Sequence, residues 1–188
     1  MTRVCLVRHG QTDWNLQGRY QGQSDVPLNA AGEAQAQRLA QQLKDEEFAA
    51  VYSSDLMRAK STANVLASVL SLPLQVDSRL REINQGEWEG LLVTVIQDSY
   101  AELWRQRRIN PASVRPPGGE TVEEVARRVY AAMHDIARAY PDEAVVVVSH
   151  GLSLATIICK VENIPVGRAY EVIPENAEPV WVNWNGST

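Results

Sequence analysis

The sequence predicts an α/β protein, a single domain over residues 1–188 with a central, mostly parallel sheet covered by helices on both faces. Three observations carry this. Short apolar, β-branched runs alternate along the chain with stretches of helical periodicity, the pattern of strands joined by crossover helices. Two of the runs, Val4 to Val7 and Ala144 to Val148, end alike, in Arg8-His9-Gly10 and Ser149-His150-Gly151. Finally, 188 residues with 45% hydrophobic content suffice for one proper core.

Taken in order, Val4 to Val7 reads as a buried strand that stops where charged residues begin. Gln11 to Asn29 is polar and broken by Gly18, Gly22 and Pro27, a long loop of the kind that carries function or is disordered. Its Asn15, Arg19, Gln21 and Asp25 are open between ligand contacts and plain solvation. Asn29 suits the N-cap of a helix from Ala30 to about Lys44. Ala49 to Ser53 reads as a strand, Leu56 to about Leu70 as a helix with Ala59, Ala63, Leu66 and Leu70 on one face, and Leu74 to Val76 as a short strand. Leu91 to about Arg108 has apolar residues at helical spacing and closes in arginines, so one helix is expected there. Thr121-Val122-Glu123-Glu124 has the form of a capping box opening a helix to about Tyr140. The Ala144 strand, a helix from Leu152 to Val161 and an apolar segment from Val180 to Trp184 complete the chain. His134 falls inside a helical pattern and reads as an ordinary helix residue.

Charge and cysteine content narrow the function. A net charge of −5, from 18 basic and 23 acidic residues, argues against nucleic-acid or membrane-surface binding, which need broad basic patches. Cys5 and Cys159 both lie in apolar runs and read as small buried hydrophobes, without a disulfide framework. No signal-peptide core and no apolar run of about 20 residues is present, so a soluble, cytoplasmic protein is expected. A homodimer is left open.

The chemistry concentrates in Arg8, His9, Arg58, Glu82 and His150, with Asn15 as an extra donor. If the two strand-His-Gly junctions are neighbours in a parallel sheet, both imidazoles emerge at its C-terminal edge, where open α/β sheets bind ligands. Arg58 lies in the first turn of its helix, where the macrodipole disfavours a cation. It is there either to hold an anion or as an exposed surface side chain. Two guanidinium groups and two imidazoles suit a phosphoryl dianion, since guanidinium forks match phosphate oxygens in pairs. One imidazole can attack phosphorus, and a carboxyl group can protonate the leaving oxygen. Metal-binding spacings such as His-Glu-x-x-His or Cys-x-x-Cys are missing, and Arg8 beside His9 would repel a divalent cation. There is no Gly-x-Ser-x-Gly elbow, although Ser149 leaves a serine nucleophile formally open, and no P-loop.

Leu6-Val7-Arg8-His9-Gly10-Gln11-Thr12 with Trp14-Asn15 resembles the signature of the histidine phosphatase superfamily, in its phosphoglycerate-mutase-like branch. The resemblance continues through Gln21-Gly22, Asp25-Val26-Pro27-Leu28, Gly32, Ser53-Ser54-Asp55-Leu56 with Arg58-Ala59, Leu80-Arg81-Glu82, Gly86-Glu87-Trp88-Glu89-Gly90, Gly118-Gly119-Glu120 and Ser149-His150-Gly151. It implies a three-layer αβα sandwich of phosphoglycerate-mutase-like fold. By it, His9 is the nucleophile that becomes phosphohistidine, Arg8, Arg58 and His150 clamp the phosphoryl group, and Glu82 is the proton donor. Asn15, Gln21 and Gly22 help bind phosphate or substrate, the partner is a small phosphorylated metabolite, and no metal or diffusible cofactor is implied. The short chain resembles the small phosphatases, such as the α-ribazole and broad-specificity groups, more than the longer mutases. Two departures stand out: Leu91 to Ile96 lacks the acidic residue usual after the Trp-Glu-Gly block, and Glu178-Pro179 follows Asn176-Ala177 where small hydroxyl residues are common. The stretch 91–117 is expected to cap the pocket and select the leaving group, although Tyr100, Leu103 and Trp104 equally suit plain packing.

Overall fold

The computed structural model describes residues 1–185. Twelve regular elements follow in the order β1 (Thr2–Arg8), α1 (Asp13–Gln17), α2 (Ala30–Leu43), β2 (Ala50–Ser53), α3 (Met57–Leu70), β3 (Leu74–Val76), α4 (Val93–Ser99), α5 (Ala101–Ile109), α6 (Val122–Ala139), β4 (Ala144–Ser149), α7 (Gly151–Val161) and β5 (Pro179–Trp184). The strands form one sheet in the order β3-β2-β4-β1-β5. All neighbours run parallel except β5, which lies antiparallel on β1 with Thr2 opposite Trp184.

Period-two alternation divides the side chains between two cores. Val4, Leu6, Val145 and Val147 face one way, packing with Val125, Val129 and Met133 of α6 and with Leu154 and Ile157 of α7. Cys5, Val7, Val146 and Val148 face the other way, onto Leu39 and Leu43 of α2 and Ala59, Ala63 and Leu66 of α3. This is the expected helix, sheet, helix sandwich. The central strands β1 and β4 are buried on both faces, which explains their unbroken Val-rich sequences. No helix among the described residues is long and apolar enough to cross a membrane.

Two expectations need correction. The single helix over 91–108 is two, because Tyr100 leaves the helical region at φ −124°, ψ 37°. Its ring then packs edge-on to the buried Trp88, 5.9 Å between centroids, and its hydroxyl donates to Glu87. The long loop after His9 is not irregular throughout. Thr12 and Asn15 close a capping box around the short α1, and the Asn29 side chain caps α2 through Gly32 N–H. Short 3₁₀ turns at Ser78–Leu80, Gly86–Trp88 and Val166–Glu171 have no periodicity that could announce them.

The start of α2 is pressed against the backbone that follows His9. A Cβ on Gly32 would lie 2.1 Å from the Gln11 carbonyl oxygen, and one on Gly10 would lie 2.4 Å from the Gly32 oxygen. Backbone cannot yield there without moving the loop. Gly32→Ala is therefore expected to cost about 1–3 kcal/mol, lowering Tm by roughly 3–10 °C for a chain of this size. An unchanged Tm in calorimetry would show that this contact does not fix the loop.

Candidate active site

The pairing of β1 with β4 sets Arg8 opposite Ser149, and the His9 amide continues the ladder by donating to the Ser149 carbonyl at 3.0 Å. His9 and His150 consequently leave adjacent strand ends, with ring centroids 5.2 Å apart. Both are buried, and Arg58 beside them is fully buried. The Arg58 Nε–H donates to His9 Nε2 at 3.2 Å, while its two terminal nitrogens donate to the carbonyls of Ser24 and Gly22 at 2.7 Å. Arginine is always a donor, so His9 Nε2 must hold a lone pair. Its proton then sits on Nδ1, which donates to the Gly10 carbonyl at 2.7 Å.

Burial lowers the His9 pKa well below the usual imidazole value, and the Arg58 and Arg8 charges lower it further against the opposing Gly10 hydrogen bond. His150 is likewise pushed well down, first by burial and then by Arg58, His9, Arg128 and Arg8. Both rings are neutral at pH 7. His150 Nε2 lies 2.9 Å from Ser54 Oγ, which itself accepts from the Leu56 amide at 3.2 Å. Donation of the Ser54 hydroxyl to Nε2 leaves the proton on His150 Nδ1. That atom is buried and has no partner among the described residues. Burial takes the Arg58 guanidinium down to about 10, with Glu82 as the largest charge opposing the shift, so it remains a cation.

Arg8 rests its guanidinium against Gly151, the first residue of α7, and donates Nη1 to the Pro174 carbonyl at 3.0 Å. Its Nε is buried without a partner among the described residues. Glu82 reaches the same helix start: its carboxylate accepts from the amides of Leu152 at 3.1 Å, Ser153 at 3.2 Å and Ile83 at 2.9 Å. An anion at a helix N-terminus is a favourable arrangement. The five residues singled out in the sequence thus converge on one cluster at the sheet's C-terminal edge. Arg58 is no surface arginine; it is fully buried against His9.

The remaining sequence candidates divide. Gly22 supplies a carbonyl to Arg58 and has φ +52°, in the left-handed region that favours glycine, and a Cβ there would push against the Glu89 side chain. Gln21 has a buried side-chain oxygen with no partner among the described residues. Asn15 uses its Oδ1 on the Thr12 amide and hydroxyl, as the cap of α1, and makes no hydrogen bond to the five.

Several supporting residues carried no usable sequence signal. Thr62 accepts from the Gly10 amide at 3.0 Å and donates to the Arg58 carbonyl at 2.9 Å, linking the backbone next to His9 to the arginine four residues earlier. The i, i+4 spacing was its only trace. Arg128 uses both ends of its fork: it pairs with Glu120 and also donates to the carbonyls of Arg79, Arg81 and Glu82 at 2.6–2.9 Å. The acidic loop is thereby pinned to α6. Asn176 Nδ2 donates to the His9 carbonyl at 2.7 Å and the Ala177 amide to the Arg8 carbonyl at 2.9 Å, so the departure at Glu178-Pro179 leaves this clasp intact.

A wider hollow, about 720 Å³, lies at the opposite edge of the sheet. Asp45, Glu46, Glu47, Asp142 and Glu143 line it, a poor environment for a phosphate. No group of three or more His, Cys, Asp or Glu able to hold a metal occurs among the described residues.

Comparison with known proteins places this geometry. A family model described as histidine phosphatase superfamily, branch 1, matches residues 4–188. A protein of Salmonella choleraesuis described as probable phosphoglycerate mutase GpmB is 36% identical over 166 residues, which is 88% of this chain and 77% of that protein. Among solved structures, Bacillus stearothermophilus YhfR superimposes with a TM-score of 0.90 at 31% identity, over 100% of this chain and 94% of its own. A mycobacterial glucosyl-3-phosphoglycerate phosphatase solved with VO3 gives 0.87 at 32% identity, covering 95% and 90%. The α-ribazole phosphatase of Shigella flexneri gives 0.88 at 27% identity, covering 97% and 91%.

Two buried neutral imidazoles also have a consequence for stability. Their folded pKa values are depressed, so the unfolded chain binds more protons at acid pH, and stability rises with pH through the imidazole range near 6.5. Urea midpoints are expected to fall as pH drops from about 7.5 to 5.5. The slope should shrink in the His9→Gln, His150→Gln double variant. An equally steep slope in that variant would place the proton uptake elsewhere.

Proposed function

The chain belongs to the histidine phosphatase superfamily, and from the geometry of its pocket we propose that it hydrolyses a small phosphomonoester through a phosphohistidine on His9. The observation that carries the reading is the fixed tautomer of His9, a neutral ring whose bare Nε2 faces a buried guanidinium. Nε2 attacks phosphorus as the ester oxygen leaves, and Glu82, protonated for this step, gives that oxygen its proton. Water then attacks the phosphohistidine, passing a proton to the Glu82 carboxylate, and inorganic phosphate departs with Nε2 restored. As the phosphoryl group arrives, the Arg58 N–H that held Nε2 passes to a phosphoryl oxygen. Arg8 and the Nδ1–H of His150 take the others, fixed donors aimed where charge is spread in the transition state. The reading calls on no metal and no cofactor.

The GpmB relative supports a second reading, transfer of the phosphoryl group to another hydroxyl instead of water. Assay of 3-phosphoglycerate conversion to 2-phosphoglycerate separates the two. For the leading reading, hydrolysis of p-nitrophenyl phosphate should persist in excess EDTA. His9→Ala should lose on the order of a thousandfold or more in kcat, the usual scale for a missing nucleophile. Loss of wild-type activity under chelation, or retention of activity in His9→Ala, would overturn it.

A further inference from the structure

Glu89 is half-buried behind the loop that carries the acceptors of Arg58. Its carboxylate takes three hydrogen bonds from neutral donors: Oε1 accepts from the Gln23 amide at 2.8 Å and the Gln85 amide at 3.1 Å, and Oε2 accepts from Ser24 Oγ at 2.7 Å. It has no ion pair among the described residues. The Gln23 amide and the Gly22 carbonyl belong to one peptide group, and that carbonyl accepts from Arg58 Nη2 at 2.7 Å. A carboxylate on one side of the peptide and a guanidinium on the other polarise it in the same sense, so each strengthens the other's hydrogen bond. Ser24 repeats the pattern, giving its hydroxyl to Glu89 and its carbonyl to Arg58 Nη1 at 2.7 Å. Resting on the phosphomonoesterase reading, we propose that Glu89 is a positioning residue for phosphoryl transfer, acting through Gly22 and Ser24 to aim the Arg58 guanidinium.

A carboxylate in contact with Arg58 would compete with a phosphoryl group for its charge. Held one peptide away, Glu89 still helps the cation withstand burial, which lowers the Arg58 pKa against the opposing charges of Glu82, Asp25 and Glu89. The loop needs the hold at this point. Its backbone ladder with the segment after Trp88 runs from the Tyr20 amide to the Leu91 carbonyl at 3.0 Å and from the Gly90 amide to the Tyr20 carbonyl at 2.8 Å, and there it ends. Beyond Tyr20, Gly22 lies against the Glu89 side chain and the Gln23 amide is fixed by its carboxylate. With both terminal nitrogens of Arg58 set by carbonyls, its Nε–H is left directed at His9 Nε2 at 3.2 Å, where the phosphoryl group is to arrive. An aiming error of about 1 Å at a reacting centre can cost on the order of 100-fold in rate.

The alternative is that Glu89 only fastens two loops together, or works on Glu82 through the Gln85 amide. A double-mutant cycle with Arg58 decides. It compares kcat/KM for p-nitrophenyl phosphate and the inhibition constant of orthovanadate in wild type, Glu89→Ala, Arg58→Ala and the double variant; an inhibition constant does not depend on the folded fraction. Glu89→Ala should lose about 10-fold to 100-fold in kcat/KM and lose vanadate affinity with it. Beside Arg58→Ala, the same change should cost no more than about twofold in either. Glu89→Gln keeps an oxygen for the Gln23 amide but turns a donor toward Ser24 Oγ. It should lose about threefold to tenfold, the worth of one hydrogen bond, and it replaces Glu89→Ala in the cycle if that variant does not fold. Wild-type constants in the Glu89 variant, a loss of turnover with vanadate affinity unchanged, or losses that multiply in the double variant would each overturn the inference. If wild type does not hydrolyse p-nitrophenyl phosphate, the phosphomonoesterase reading fails by itself, and calorimetric vanadate binding through the same cycle still decides the role of Glu89.

Discussion

The register in which β1 pairs with β4, Arg8 opposite Ser149, decides where both histidines emerge. Side chains alternate along a strand, so a slip of one residue would exchange the core faces of Val4 to Val7 and aim the residues beyond the strand end elsewhere. The register is enforced from both sides, because β1 and β4 are apolar on both faces and each face meets a complete helical layer. Beyond the strand ends the same pairing continues as one more hydrogen bond, from His9 to Ser149. The ring separation at the site is thus a product of the core, and the histidine pair is held by the same pairing as the sheet that carries it.

That rigidity is used to hold an arrangement unfavourable in the absence of an anion. Two arginines are directed at a buried space whose imidazoles are driven neutral, with the Glu82 carboxylate as the main charge opposing their desolvation. Buried cations without full compensation are costly to a fold. Arg58 is kept in place by two backbone carbonyls and a histidine lone pair, none of them a negative charge that would compete with a phosphate. In the proposed reading the compensating anion is the phosphoryl group of the substrate. Thr62, Ser54 and Arg128 serve this arrangement one step removed, by holding backbone, tautomer and acidic loop.

Much of this was legible in the sequence for physical reasons. Strands buried on both faces read as unbroken apolar runs, and the polar residues that interrupt them at Arg8-His9 and Ser149-His150 stand out against them. Arg58 was visible because a cation in the first turn of a helix contradicts the macrodipole. What could not be read depends on contacts distant along the chain. The break at Tyr100 arises from packing on Trp88, and the hold of Arg128 on three carbonyls is indistinguishable, in sequence, from an exposed helix arginine such as Arg127. Asn15 reads as an extra donor from sequence; the structure puts its oxygen to the cap of α1, a contact the sequence does not show, and leaves the donor nitrogen for that role.

The central claim, a covalent phosphoryl group on His9, is tested most directly by mixing wild type with labelled phosphomonoester, quenching within one turnover and mapping the label. A label that is lost in acid, survives alkali and maps to the peptide bearing His9 is the predicted result. Full turnover with no label on any histidine, or label on Ser149 or His150, would contradict it.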